Sequence, residues 1–291
     1  MIRVSQFTKR YGDFVAVDGL TFAVPAGAVL GLVGPNGAGK TTTLRALAGI
    51  LRPTSGTVEV AGVDVTTEPV EAKRRLAFVP DEPALFDYLT VTEHFRFVAR
   101  LYGVTNGAER TPALLDELEL ADKADSLPLE LSRGMKQKLA IGCALLHDPQ
   151  VLLLDEPLTG LDPVGIRRMK RTIAGRAARG TTVLLSSHLL PLVEELCTHL
   201  LVIRRGRALA FGPIAELRGQ KGLEELFVEL TERADVEALG TAGAADASGA
   251  KASGANAIAS GPSGPPSSSG RFNPRTIRSW KSPGRTGPGN L

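Results

Sequence analysis

Nine consecutive residues, Gly34-Pro35-Asn36-Gly37-Ala38-Gly39-Lys40-Thr41-Thr42, have the types and spacing of a loop that holds phosphate. They satisfy the pattern G-x-x-x-x-G-K-[ST], in which glycines let the chain wrap tightly enough for successive backbone N–H groups to converge on an anion. A helix opening directly after the loop adds its positive N-terminal end. Lys40 then reaches the β- and γ-phosphates, the Thr41 hydroxyl is set to ligate Mg2+, and Thr42 can donate to a phosphate oxygen. Thr43 has no comparable assignment. The chemistry indicated is binding of a nucleoside triphosphate together with Mg2+.

A second group of residues complements the first. Val151-Leu152-Leu153-Leu154-Asp155-Glu156-Pro157 is an apolar run ending in two carboxylates. In an α/β sheet such a strand is buried and its charges emerge at the carboxyl end, where ligands bind. Asp155 can hold Mg2+ through water, and Glu156 can polarise an attacking water as general base. In isolation this run also reads as a buried strand with an exposed acidic turn; the phosphate loop gives the carboxylates a substrate. About twenty residues before Asp155, Leu131-Ser132-Arg133-Gly134-Met135-Lys136-Gln137 places a hydroxyl and a close backbone N–H at a helix start. Ser132 and Gly134 there suit a γ-phosphate, and Ser132 equally suits a helix N-cap.

This last run resembles the ABC signature sequence, Leu-Ser-Gly-Gly-Gln, with Arg133 in place of the first glycine and Met135 in place of the glutamine. Further segments follow the order of ABC ATPases. The resemblance implies that Tyr11 stacks on adenine and that Asp162, in Leu158-Thr159-Gly160-Leu161-Asp162-Pro163, sits at a subunit interface. It also implies that His188, after Val183-Leu184-Leu185-Ser186, contacts the γ-phosphate. Where the family carries a glutamine linking Mg2+ to a helical insert, this chain has Phe78-Val79-Pro80-Asp81-Glu82-Pro83. Asp81 fits that position best, with Glu82 close by; a carboxylate can bind the metal but cannot donate as an amide does.

The elements that must position these residues are legible in part. Short strands are expected at Ile2 to Phe7, Leu20 to Val24, Val29 to Val33 and Thr57 to Ala61, with a helix from Thr41 to Ala48 closed by Gly49. After Pro80 the periodicity becomes helical, at Val91 to Leu101 and Pro112 to Leu120, and a helix begins behind Ser132 and runs to Leu146. Strand and helix then alternate: Val151 to Asp155, Pro163 to Arg179, Thr181 to Ser186, Leu189 to Cys197, and Leu200 to Arg204. The pattern is an α/β core interrupted by a helical insert, about 84–129, with no internal repeat.

Composition excludes several classes. With 291 residues, 43% of them hydrophobic, a sizeable core is expected. No apolar run approaches the roughly 18 residues that cross a bilayer, and the N-terminal segment lacks a signal-like apolar core, so a cytosolic location is expected. Cys143 and Cys197 lie in apolar segments without ligand spacing and read as free thiols. The formal charge of +3 is carried by Arg271, Arg275, Arg278, Lys281 and Arg285, which leaves residues 1–270 near −2. That lacks the basic footprint of a nucleic-acid binder. Beyond Ala234 the chain turns to Gly, Ala, Ser and Pro, and 234–291 are expected to be a disordered basic tail holding Trp280, the sole tryptophan.

The resemblance spans residues 1–233. It implies an ABC ATPase fold: a P-loop NTPase α/β core with an N-terminal antiparallel β subdomain and an inserted α-helical subdomain. It implies the ATP-binding subunit of a bacterial transporter of exporter type, a homodimer or paired ABC ATPase sandwiching two ATP molecules and Mg2+. Lys40 and Glu156 of one chain would face Ser132 and Gly134 of the other. A separate membrane permease would be its partner, placing it on the cytoplasmic face of the membrane. The rival readings are an ABC ATPase acting on ribosomes or nucleic acid, and an inactive regulatory subunit.

Overall fold

Three runs in this chain are apolar at every position or nearly so, and they become the central strands. In the computed structural model, which describes residues 1–234, β3 (Val29–Val33), β7 (Val151–Asp155) and β8 (Thr182–Ser186) are buried along their whole lengths. The elements between and around them are β1 (Ile2–Tyr11), β2 (Phe14–Val24), α1 (Lys40–Leu47), β4 (Ser55–Val60), β5 (Val63–Asp64), α2 (Pro69–Arg75) and β6 (Leu76–Val79). Then follow α3 (Val91–Tyr102), α4 (Gly107–Glu117), α5 (Arg133–Leu146), α6 (Pro163–Ala178), α7 (Leu190–Leu196), β9 (His199–Arg204), β10 (Arg207–Pro213) and α8 (Ile214–Arg218). A further helical stretch occupies 223–234.

The central sheet has six strands in the order β10-β9-β3-β8-β7-β6. All neighbours are parallel except the edge pair β9 and β10. A parallel sheet is covered on both faces, and the core shows it residue by residue. Leu30, Leu32, Val151, Leu153 and Leu184 enter one apolar cluster with β1, β2, β4 and α1. Val29, Val33, Leu152, Leu154, Val183 and Leu185 enter a second with α3 to α7. The second sheet, β2-β1-β4-β5, is antiparallel and lies on the first of these faces.

The helical insert forms as expected around α3 and α4. Thr90 and Glu93 cap α3 reciprocally, with each backbone N–H bonded to the other side chain at 2.8 and 3.2 Å. His94 fixes the preceding loop, its Nε2 accepting from the Phe86 N–H at 3.0 Å and its Nδ1 lying 2.8 Å from the Thr90 carbonyl. The second helix differs from the expectation that Pro112 opens it. It starts at Gly107, and Pro112 lies inside it. Packing overrides the proline: Gly107 sits where a Cβ would come within 2.6 Å of Ala99, and the Thr111 hydroxyl donates to the Gly107 carbonyl at 2.7 Å.

The short strand β6 and the edge strand β10 were not expected. Strands β9 and β10 form a hairpin whose two turn residues, Arg205 and Gly206, both have positive φ, 47° and 78°, the conformation that matches the twist of its strands. The expected tail lies outside the described residues from 235 onward; Ala234 is helical.

Both cysteines line apolar packing, and burial pushes each thiol up to about 12. At pH 8 a thiol-selective disulfide reagent should therefore label neither Cys143 nor Cys197 in the folded chain and both in guanidinium. Rapid labelling of the native protein would contradict this packing.

Candidate nucleotide site

The loop between β3 and α1 is shaped by contacts that only glycine tolerates. A Cβ on Gly34 would lie 2.2 Å from the Ile203 carbonyl oxygen, and one on Gly39, at φ 106°, would lie 2.8 Å from that of Ala16. The loop is thus pressed between β9 and β2, which fixes its course. Helix α1 opens on Gly39 with no side-chain cap and no acidic residue in its first turn. Its first N–H groups are therefore directed at whatever lies in the loop.

Lys40 lies across the loop, its ammonium donating to the carbonyls of Gly34 at 2.7 Å and Pro35 at 3.2 Å. Burial lowers its pKa, and the negative charges of Glu156 and Asp155 oppose that shift. A cavity of about 350 Å³ opens here, lined by 36–42 together with Phe14, Ala16, Asp81, Asp155 and Glu156. The structure therefore gathers Asn36, Gly37, Ala38, Gly39, Lys40, Thr41 and Thr42 with both carboxylates of β7 and with Asp81. Glu82 is not among the lining residues. A larger cavity of about 680 Å³ between α3 and α4 has no such convergence of phosphate-binding backbone and carboxylates.

The Asp155 carboxylate and the Glu156 backbone are held by a residue the sequence did not single out. Ser186 ends β8 opposite Asp155 in register, fully buried. Its hydroxyl donates to Asp155 Oδ1 at 2.6 Å and accepts from the Glu156 N–H at 2.9 Å. Glu156 has φ 48°, a left-handed conformation that costs a non-glycine residue on the order of 1 kcal/mol. The bond from its N–H helps hold it there, with its carboxylate 2.9 Å from His188 Nδ1. The available signal was a lone serine closing an apolar strand; only pairing with β7 reveals its partner.

The remaining predicted residues lie elsewhere. Tyr11 pairs with Phe14 across the turn joining β1 to β2, and Phe14, not Tyr11, lines the cavity. The Tyr11 ring is exposed, with the Lys9 ammonium 5.1 Å from its centroid. Ser132 caps α5, accepting from the Met135 N–H at 3.2 Å, and Asp162 caps α6, accepting from the Gly165 N–H at 3.0 Å. Gly134 is packed so that a Cβ would lie 2.6 Å from the Gly160 carbonyl oxygen. None of these three lines the cavity of its own chain. The Asp81 carboxylate accepts from Arg133 at 3.1 Å.

The donors near the loop are oxygens, from Thr41, Asp81 and Asp155, which suit Mg2+. Among the described residues no group of three or more His, Cys, Asp or Glu could hold a metal alone. In nucleotide sites Mg2+ takes one or two carboxylates and fills its shell with phosphate and water.

Residues 17–159 match the family model described as ABC transporter. The Nod factor export ATP-binding protein I of Burkholderia pseudomallei (strain 1710b) is 44% identical over 213 residues, covering 72% of this chain and 70% of that protein. The chain belongs to the ABC transporter family. The probable multidrug ABC transporter ATP-binding protein YbhF of Escherichia coli (strain K12) is 34% identical, with 81% of this chain matched to 43% of that one. A solved structure described as the ATP binding subunit of an ABC transporter superposes with a TM-score of 0.76 at 34% identity, covering 79% of this chain and 99% of that chain. This ABC protein is accordingly an ATP-binding subunit and an ATPase, as members of the family hydrolyse ATP to power transport.

Removing the Ser186 hydroxyl leaves the buried Asp155 oxygen and the Glu156 N–H short of a partner. Ser186→Ala should cost about 1–3 kcal/mol of unfolding free energy and slow ATP turnover while nucleotide still binds. Denaturant unfolding and a fluorescent-nucleotide titration check the two halves separately.

Proposed function

We propose that this chain powers export through a separate membrane permease by closing as a dimer around two ATP molecules and reopening after hydrolysis. The observation that carries the catalytic part is the Glu156–His188 pair beside Lys40 and Asp155. Glu156 takes a proton from the attacking water, and His188, anchored through Nδ1, presents its other ring nitrogen toward the γ-phosphate. Lys40 exchanges its loop carbonyls for the β- and γ-phosphates, while the loop from Gly34 to Gly39, apart from Pro35, supplies backbone donors and Thr42 a hydroxyl. Mg2+, held by Thr41 and Asp155 with Asp81 at its edge, would neutralise phosphate charge. Tyr11 stacks on the adenine.

Dimer closure is supported by where Ser132, Gly134 and Asp162 lie. They are outside the cavity of their own chain, as residues serving a partner's nucleotide must be. ATP would favour the closed dimer because it touches both chains only there. A separate permease is supported by the described residues, in which no helix is long and apolar enough to cross a membrane. It is supported too by the exposed Phe86, Tyr88, Phe97 and Leu101 on and before α3, an apolar patch on the helical insert. In this reading the protein sits on the cytoplasmic face of the membrane. Export follows the relatives, which are described as export and multidrug proteins.

Glu156→Gln should keep ATP binding and lower turnover by roughly two or more orders of magnitude; unchanged turnover would remove Glu156 as the base. Tagged Glu156→Gln protein captured with ATP from detergent-solubilised membranes should bring down a polytopic membrane protein in near-equal amount. Recovery of ribosomes or nucleic acid without a membrane partner would replace the transporter reading with the ribosome or nucleic-acid one.

A further inference from the structure

Two of the chain's departures from the ABC pattern meet in space. Arg133 stands where the signature has its first glycine, and Asp81 where the family places a glutamine. They are 52 positions apart, and Arg133 Nη2 donates to Asp81 Oδ1 at 3.1 Å. The arginine stem lies against the turn before α6, where a Cβ on Gly160 would come within 3.3 Å of its Cγ and Cδ. The arginine therefore spans from the turn at Gly160 to the loop behind β6. Asp81 itself lines the phosphate cavity together with Lys40, Thr41, Asp155 and Glu156.

We propose that Arg133 is a positioning residue for Asp81: its guanidinium holds the carboxylate at the mouth of the site and competes for it with the divalent cation that accompanies the nucleotide. The pair is solvent-accessible, with side chains 56% and 43% exposed, and such pairs are weak in water. A doubly charged ion beside three phosphates outcompetes it. When the cation takes Asp81, α5 loses its tie to the loop behind β6, and the start of the signature helix is released in response to the filled site. A neutral amide at position 81 would make no comparable ion pair with Arg133, so the arginine and the carboxylate act as one unit. This inference rests on reading Asp81 as a cation ligand in the proposed ATP site.

The test is a Mg2+ titration of the binding of a fluorescent, non-hydrolysable ATP analogue to the full chain. Arg133→Ala should lower the Mg2+ midpoint, by roughly fivefold if the competing pair has the strength of an ordinary exposed ion pair. Asp81→Ala should raise the midpoint, and adding Arg133→Ala to it should then produce no further shift, because the carboxylate being contested is gone. Arg133→Lys should stay near the parent. A midpoint unmoved by Arg133→Ala, or moved equally in the Asp81→Ala background through long-range charge alone, would overturn the pairing while leaving the ATP site intact. A midpoint unmoved by Asp81→Ala would remove Asp81 as a ligand and the inference with it. Failure of the parent chain to bind the analogue, or full binding by Lys40→Ala, would instead bring down the ATP site itself.

Discussion

Burial of the central sheet on both faces is the constraint from which the rest follows. A parallel strand sandwiched between two apolar clusters cannot carry a charge along its length, so polar side chains emerge only at its ends. β3, β7 and β8 run in the same direction and in adjacent register, with Asp155 opposite Ser186 and Leu32 also opposite Ser186. The phosphate loop, the two carboxylates and the serine bonded to the Asp155 carboxylate and the Glu156 N–H therefore come to one edge of one sheet. The site is a consequence of where charge is tolerated.

The same edge explains the hydrogen-bond economy around the carboxylates. Asp155 is buried, and an unpaired carboxylate there would be costly. Ser186 satisfies one of its oxygens with its single proton and accepts from the next peptide with its own oxygen, so one hydroxyl serves two neighbours. Glu156, turned into left-handed backbone immediately after the strand, points away from the sheet toward His188 and not along the line of β7. Rigidity at Asp155 and a bend at Glu156 give two adjacent carboxylates different directions and different partners.

The helical insert stands in a different relation to the core. It is capped locally, as at Thr90 and His94, shares the apolar cluster on one face of the sheet, and reaches the site through two connections. One is the loop behind β6 that carries Asp81, and another is the start of α5.

Much of this was readable in the chain because the signals were local. The boundaries of β3 and β7 followed from unbroken apolar runs, and the phosphate loop from a spacing with a direct physical reason. The cap at Ser132 followed from a short polar residue ahead of helical periodicity. Other features depended on contacts far apart in sequence. Pro112 lies within α4 because Gly107 packs on Ala99, and β6 is a strand because β7 accepts it as a neighbour. Phe14 lines the cavity while its cross-strand partner Tyr11 does not, a difference between two paired rings that their spacing in the chain does not show. Residue types by themselves determined the chemistry, a triphosphate bound by backbone and lysine with two carboxylates beside it. Only the folded chain decided that Ser186 holds the Asp155 carboxylate and the Glu156 N–H and that Asp81 meets Arg133, because hydrogen bonds and ion pairs depend on distance in space, which strand order and packing set.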